Sequence, residues 1–263
     1  MIPSDDWRGD SPGGLNRPGD IKTSDDWRGD SPGGLKRPDQ YLSAAEAITS
    51  RRSIRAFLPT PVPRETVARL LAIASRAPSG SNTQPWRVHA LAGAAREALC
   101  ADLMAAHEAG TPEEREYAYY PDPWFEPYLA RRRKVGWGLY ATLGIERGDT
   151  VRMKAQQGRN FIFFGAPVGL IVTMDRRLNT GSWIDLGMFL QNIMVAARGE
   201  GLDTCPQAAL ATRHGTVRRH LPIPAEEVVV CGMALGHADP AAPENALETE
   251  RAPVEEFAGF YGF

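Results

Sequence analysis

The chain has 263 residues, of which 43% are apolar, and its formal net charge is −2 with a pI near 6.2. This length and composition support one hydrophobic core, with room for an additional arm. The slightly acidic balance argues against nucleic acid or an anionic membrane as a partner. No apolar run approaches the roughly 20 residues that span a bilayer, and the acidic N-terminus, rich in Gly and Pro, differs from a signal peptide.

The three cysteines, Cys100, Cys205 and Cys231, are far apart in the sequence. An odd number at wide spacing is typical of a reducing compartment, and it argues against a disulfide framework or a C-x-x-C metal site. We therefore expect a cytoplasmic protein without a bound metal.

The first forty residues differ in composition from the rest of the chain. The sequence SDDWRGDSPGGL occurs at 4–15 and again at 24–35, an offset of twenty residues. Sequence this rich in Asp, Gly and Pro has no helical or strand periodicity, which favours a disordered leader or a duplication without structure. Trp7 and Trp27 favour the alternative, an extended arm that packs on a neighbouring subunit, because disordered segments rarely contain tryptophan. We therefore divide the chain into an arm, 1–40, and a folded domain, 41–263.

The first half of the folded domain predicts three helices and a strand. Capping signals and apolar stripes place a helix after the Ser43–Glu46 capping box, a helix from Pro63, a strand over 86–91 and a helix over 94–108. The segment 111–149 is aromatic and charged, and it predicts a broken helical excursion on the surface.

The second half predicts a helix after Asp149, a buried strand over 167–174, a helix capped by Ser182 and ended by Gly201, a short helix after Thr212 and a buried strand over 226–236. Residues 183–200 are apolar nearly all round, so part of that helix is expected to pack on another subunit. Helices and strands are mixed without strict βαβ alternation. The pattern indicates an α+β fold with a small mixed sheet covered by helices.

Four polar segments stand next to apolar elements: RRSIRAF (51–57), APSGSNTQPW (77–86), DTCPQAAL (203–210) and TERAP (249–253). Each segment alone is typical of a solvated turn. The chain contains no G-x-S-x-G, H-E-x-x-H or Walker motif, and so the common signatures of a serine hydrolase, a zinc protease and a P-loop enzyme are missing.

Together with NFIFFGAPVGLIV and GMALG, these segments resemble the FMN-dependent nitroreductase family over about residues 43–257. The resemblance implies a homodimer with FMN in the interface. It also implies hydride transfer from NADH or NADPH through flavin N5 to a nitroaromatic compound, by a ping-pong mechanism. The nitro group would be reduced to nitroso and then to hydroxylamine, without a protein acid or base.

The resemblance also implies roles for the first and last segments. Arg51 and Arg251 would bind the FMN phosphate, where a forked guanidinium suits bidentate contact. Arg52 would either join them or face solvent, and Ser53 would bond to phosphate or ribityl. Arg55 would lie near the flavin N1–C2=O edge, where negative charge develops on reduction, and would raise the reduction potential.

Two further sets of residues match the flavin-binding segments of the family. The second flavin-binding turn corresponds to Pro78, Ser79, Gly80, Asn82 and Gln84. The segment that passes flavin N5, whose backbone amide can bond to that atom, corresponds to Pro206, Gln207 and Ala208. This chain has Pro-Gln-Ala-Ala where some relatives have Pro-x-Glu-Gly, so the amide is kept and the carboxylate is not.

Relatives diverge most in the excursion 111–149, which we therefore assign to the substrate mouth. Aromatic side chains suited to stack on a substrate are Trp124, Phe125, Tyr128, Trp137 and Tyr140. The alternative is that these rings pack the excursion on the body of the protein. Likewise, the basic run 131–134 suits either the extra phosphate of NADPH or a solvated helix face.

Four other functions compete with nitroreduction. Reductive dehalogenation, flavin fragmentation and quinone reduction occur on the same fold, and Glu126, Tyr128 and Lys134 are the residue types of a dehalogenase lid. A protein of another class would use the basic cluster for nucleic acid, but the acidic balance and the lack of interleaved aromatic and basic residues argue against it.

Overall fold

The computed structural model describes residues 42–263 of the chain. The predicted arm, 1–40, with Trp7 and Trp27, lies outside the described residues, and its role stays a prediction.

A four-stranded sheet forms the centre of the fold, and its strands are β1 (Arg87–Ala92), β2 (Val168–Asp175), β3 (Asp203–Gln207) and β4 (Glu227–Gly236). Their spatial order is β1-β2-β4-β3, and all neighbours pair antiparallel. The two central strands are buried along almost their whole length, as their continuous apolar sequences predict. Among the described residues, parallel pairing occurs as an isolated bridge between Ser53 and Thr204. The α+β class is confirmed, and the sheet itself is antiparallel.

The described residues form seven α-helices around the sheet: α1 (Ala44–Ser50), α2 (Arg64–Ala74), α3 (Gly93–Glu108), α4 (Tyr128–Thr142), α5 (Thr150–Gly158), α6 (Thr180–Gly199) and α7 (His214–His220). The capping box predicted for α1 is present. The Ser43 hydroxyl accepts from the Glu46 amide, and the Glu46 carboxylate accepts from the Ser43 amide. These two bonds satisfy amides that a helix leaves free at its start. Asp149 caps α5 by accepting from the Arg152 amide.

Helix α6 starts earlier than predicted. Its N-cap residue is Asn179, whose carbonyl accepts from the Ser182 amide at 2.9 Å. The prediction that Ser182 caps this helix is therefore wrong, because Ser182 already lies within its first turn. One side of α6 is buried against the sheet, while Ile184 on the rest of its surface is 63% exposed. Within the described chain, α6 thus keeps apolar surface that is not covered.

Two apolar clusters pack on the sheet, one on each face. The first includes the buried side of α6, and the second, on the opposite face, fixes the segment 51–57. Ile54 and Phe57 are buried in this cluster together with Leu99, Phe163 and Leu210. Burial of these two side chains, at about 25 cal/mol per Å² of apolar surface, attaches the arginine-rich segment to the body. The arginines on either side of Ile54 remain at the surface.

The polar segment at 203–210 was predicted as a turn, and this prediction is wrong for its first half. Residues 203–207 form β3, one of the two edge strands of the described sheet, and continue into a 3-10 helix over Ala208–Arg213. Pro206 is tolerated there because an edge strand leaves one row of backbone groups unpaired by the sheet. No helix within residues 42–263 has both the length and the apolar character needed to cross a membrane.

Candidate functional site

The segment 51–55 runs extended beside β3. The Ile54 amide donates to the Thr204 carbonyl at 3.1 Å, and Ser53 bridges to the same residue. Side chains of extended backbone alternate between two faces, so burial of Ile54 leaves Arg51, Ser53 and Arg55 on the opposite face. These three side chains are half-buried, and the fold brings them together as the RRSIR sequence predicts.

Arg51 and Arg251 come close together although they lie near opposite ends of the folded domain. The pKa of Arg51 is lowered, first by burial and then by the positive charge of Arg251. Arg251 itself is exposed, and its guanidinium donates to the carbonyls of Thr249 and Glu250 and to the Thr249 hydroxyl. Two guanidinium groups that repel each other form a site suited to an anion.

Arg52 differs from its neighbours. Its side chain is 43% exposed and forms an ion pair with Glu248 at 3.3 Å. This geometry agrees with the alternative in which Arg52 faces solvent, because an exposed ion pair of this kind leaves the guanidinium in water.

Arg55 lines a cavity of about 200 Å³ next to β3. Cys205 and Pro206 form one side of this cavity, and Tyr140 and Asn160 form another. Burial raises the pKa of the Cys205 thiol to about 11, while the charge of Arg55 and a hydrogen bond with Ser53 act in the opposite direction. The thiol therefore stays protonated at neutral pH, and it is a packing group rather than a nucleophile.

A second cavity, of about 460 Å³, is lined by Pro206, Gln207 and Ala208, and Pro206 also lines the cavity that contains Arg55. Gln207 is buried, and its side-chain amide donates to the Asn160 carbonyl at 2.7 Å. This bond fixes the point where β3 passes into the following 3-10 helix. The rings of Tyr117, Tyr119 and Tyr120 line the larger cavity, and they were not among the predicted substrate residues.

The five rings predicted to line the substrate mouth have separate surroundings. Tyr140 lines the cavity with Arg55. Trp124 instead contacts Tyr120 and lies under the Arg132 guanidinium. Ring contacts also pair Phe125 with Tyr128 and Trp137 with Tyr140, and Arg147 lies over Trp137. These contacts join parts of the excursion to one another.

The start of the excursion is attached to the body by a buried carboxylate. Glu116 accepts from the Val229 amide and forms ion pairs with Arg176 and Arg218. The hydroxyl of the next residue, Tyr117, donates to the Val230 carbonyl. These bonds attach the segment that carries Tyr117, Tyr119 and Tyr120 to β4. No local sequence motif indicates such an anchor.

The second predicted flavin-binding turn lies elsewhere. Ser79 is half-buried, and the other four predicted residues, Pro78, Gly80, Asn82 and Gln84, are exposed. The Gly80 amide donates to Asp185 in the first half of α6 at 3.1 Å, and the Ser79 hydroxyl accepts from the Gln84 amide. Arg198, near the other end of α6, contacts Ser50 next to the arginine segment. At 1.5 Å per residue, about 20 Å of helix separates Asp185 from Arg198.

The possible dehalogenase lid is not assembled in the chain. Glu126 accepts from the Ala130 amide at the start of α4, whereas Lys134 forms an ion pair with Glu250 at 2.6 Å. Tyr128 contacts the Phe125 ring. In the basic run 131–134, Arg131 also forms an ion pair with the side chain of Glu256, a residue near the C-terminus.

Comparison with known proteins identifies the family of the chain. The sequence profile of the nitroreductase family matches residues 48–237, more than half of the chain. The chain belongs to the nitroreductase family. It is 45% identical over 217 residues to the chloronitrobenzene nitroreductase of Comamonas testosteroni, covering 82% of this chain and 95% of that protein. It is 42% identical over 216 residues to a 4-nitrobenzoate reductase of Pseudomonas putida, covering 82% and 94%.

A solved structure has the same fold over almost the whole described region. The FMN and NADPH-dependent nitroreductase NfnB of Sphigopyxis sp. strain HMH superposes with a TM-score of 0.81 at 40% identity. The match covers 84% of this chain and 100% of that one. The family and the fold expected from the sequence are thus confirmed.

Proposed function

We propose that this nitroreductase-family chain is an FMN-dependent enzyme that passes hydride from NADH or NADPH to nitroaromatic compounds. The observation that carries the proposal is the course of the segment 51–55 beside the edge strand that contains Pro206, with Arg55 in the cavity next to Pro206. Arg251 lies close enough to Arg51 to act on its pKa. Similar proteins that this chain matches over nearly their full length are named for nitroaromatic reduction.

The residues present fit FMN. Burial, and after it repulsion by Arg251, lowers the pKa of Arg51, and a phosphate dianion next to it would favour its charged form. Gln156 and Gln207 supply buried polar atoms, Nε2 and Oε1 respectively, that have no hydrogen-bond partner among the described residues. Buried polar atoms without partners cost free energy, so each favours a ligand or water beside it.

The chain's own groups have binding and orienting roles. When bound, FMN would supply the chemistry of hydride transfer from the nicotinamide to the nitro group. Arg51 and Arg251 hold the phosphate, and Ser53 holds phosphate or ribityl. Arg55 favours negative charge on the reduced ring, and the backbone amide within 206–208 is available to N5. Arg52 is left out of this set because of its exposed pair with Glu248.

We propose that the site is completed by a second copy of the chain. The turn 78–84 contacts α6 about 20 Å from the end that lies beside the arginines. A single FMN that contacts both the turn 78–84 and the arginines of the segment 51–55 is therefore bound by the turn of one chain and the arginines of the other. The exposed apolar surface of α6, including Ile184, is suited to such a contact. All three cysteines are free, which supports a cytoplasmic location.

We place the nitroaromatic substrate in the 460 Å³ cavity. Tyr117, Tyr119 and Tyr120 offer ring faces opposite the segment 206–208, and flat rings stack well on an aromatic acceptor. Tyr140 is the predicted ring that lies on the Arg55 side.

A substrate panel on the purified holoenzyme tests the proposed function. Nitrobenzene, a halophenol and a quinone are each offered with NADH and with NADPH. We expect the nitro compound to be turned over with the highest kcat/KM, with parallel lines in double-reciprocal plots as a ping-pong mechanism requires. Preferred release of halide, or preferred reduction of the quinone, would contradict the proposal and favour an alternative activity on the same fold.

A further inference from the structure

A short 3-10 turn near the C-terminus, Pro243–Ala246, contains two consecutive buried polar residues. Glu244 is 3% exposed and Asn245 is 9% exposed. Polar side chains at this depth are costly unless hydrogen bonds satisfy them. Their partners therefore indicate what the turn holds in place.

Asn245 fixes the backbone at Arg55. Its Oδ1 accepts from the amides of Arg55, at 2.7 Å, and Ala56, at 3.2 Å. Its Nδ2 donates to the carbonyls of Ala56, at 2.8 Å, and Asp239, at 2.9 Å. A side-chain amide has two donors and an oxygen that accepts two bonds, so its whole capacity is used. Three of the four bonds go to the two residues at and after Arg55.

Glu244 connects the same turn to another wall of the site. It pairs with Arg159 at 2.5 Å, and Arg159 also donates to the Phe164 carbonyl. Phe164 has a φ of +54°, in the left-handed region that side chains other than glycine rarely adopt. Arg159, Asn160 and Phe164 belong to one 3-10 segment, Arg159–Gly165, and its Asn160 carbonyl accepts from the Gln207 side chain. The turn is thus a common support for Arg55 and for the segment next to Gln207.

We propose that Asn245 is a positioning residue that sets the reduction potential of bound FMN by holding Arg55 in place, an inference that rests on the proposed function. The Arg55 guanidinium donates to the Ser53 carbonyl and lines the cavity beside Pro206. Its side chain starts from the backbone that Asn245 clamps. Without Asn245, the amides of Arg55 and Ala56 lose their partner, while the two carbonyls that it contacts each keep a backbone amide. The cation is then free to move from the place where negative charge develops.

The test measures the midpoint potential of the flavin in the holoenzyme by equilibration with a reference dye. Arg55→Gln removes the charge and is expected to lower the potential. Asn245→Ala is expected to lower it in the same direction by at least half as much. The double variant is expected to match Arg55→Gln alone, because Asn245 acts through Arg55.

Val67→Ala is the matched control, since Val67 is buried in the other apolar cluster, on α2, and its truncation costs stability without touching Arg55. Asn245→Ser replaces the amide with a hydroxyl, which can still form a hydrogen bond. It should therefore disturb the fold less than Asn245→Ala and shift the potential in the same direction by a smaller amount. The proposal is overturned if Asn245→Ala and Asn245→Ser leave the potential at the Val67→Ala value. It is also overturned if the shifts of Arg55→Gln and Asn245→Ala add. A folded wild-type protein that takes up no flavin would overturn the proposed function itself.

Discussion

The positive charge of Arg251 lowers the pKa of Arg51, although the two residues lie near opposite ends of the folded domain. Burial is the larger cause of the shift, and the second guanidinium adds to it. Like charges are brought together in this way at sites that bind an oppositely charged group. The pair is the structural basis for assigning the phosphate of FMN to this edge of the sheet.

Removal of Arg251 should weaken FMN binding more than removal of Arg52. Loss of a charge-assisted hydrogen bond costs about 1.5–3 kcal/mol, so Arg251→Ala should raise the Kd for FMN by about tenfold to a hundredfold. Arg52→Ala breaks an exposed pair with Glu248 and should change the Kd by less than about fivefold. Flavin fluorescence titration of the apoprotein measures both values, and equal losses would refute the role assignment.

A mixed dimer tests whether each site takes residues from two chains. Arg51→Ala and Asn82→Ala should each inactivate their own homodimer. In a mixed dimer, one site combines both defects and the other has none, so activity should return to about half that of the wild type. Differently tagged chains, purified together by both tags, provide the mixed species. If both residues of one site come from the same chain, the mixed dimer stays inactive.

Tyr120 and Phe125 distinguish the observed cavity from the predicted substrate mouth. Tyr120 lines the cavity at 206–208, whereas Phe125 is 56% exposed and contacts Tyr128. Loss of an aromatic contact of about 0.5–1.5 kcal/mol should raise the KM for nitrobenzene by about twofold to tenfold in Tyr120→Ala. Phe125→Ala should leave that KM unchanged. Steady-state kinetics at saturating NADPH measures both, and the reverse order of effects would restore the original prediction.

Glu116 should give the fold an acid-sensitive contribution to stability. Burial raises the pKa of Glu116, but the Val229 amide, Arg176, Arg218 and His214 together lower it below its ordinary 4.5. A carboxyl group whose pKa is lowered by folding stabilises the folded state at a pH above its pKa in the unfolded chain. This contribution is lost as the pH falls through its pKa in the folded protein.

Glu116→Gln should therefore lower the free energy of unfolding by about 1–3 kcal/mol near neutral pH. The difference from wild type should shrink as the pH drops below 4.5. Urea unfolding at pH 7 and at acid pH measures it, with Glu113→Gln, an exposed carboxylate on the same segment, as the control. A difference that grows in acid would contradict the assigned sign.

The sequence predicted the elements of the fold well where local chemistry decides them. The capping box at Ser43 and the apolar runs of β2 and β4 correspond to what the structure contains. The prediction of a turn at 203–210 failed around Pro206, because the suitability of proline for a strand depends on whether that strand lies at a sheet edge. A second prediction failed at Ser182, since Asn179 offered a helix start three residues earlier.

The site was predictable only in part. Alternation along an extended segment separates Arg51, Ser53 and Arg55 from Ile54, and this pattern is local. The tyrosines of the cavity were missed because their place depends on Glu116, whose partners Arg176, Arg218 and Val229 are far away in sequence. Asn245 was missed for the same reason, since it acts on backbone groups of Arg55 and Ala56.

The most direct test of the proposed function is an anaerobic double-mixing experiment on the purified protein. We expect about one FMN per chain, loss of the flavin absorbance when NADPH is added, and its return when nitrobenzene is added afterwards. The proposed function is contradicted by a folded dimer that contains no FMN and takes up none, or by a bound flavin that NADPH and NADH both fail to reduce.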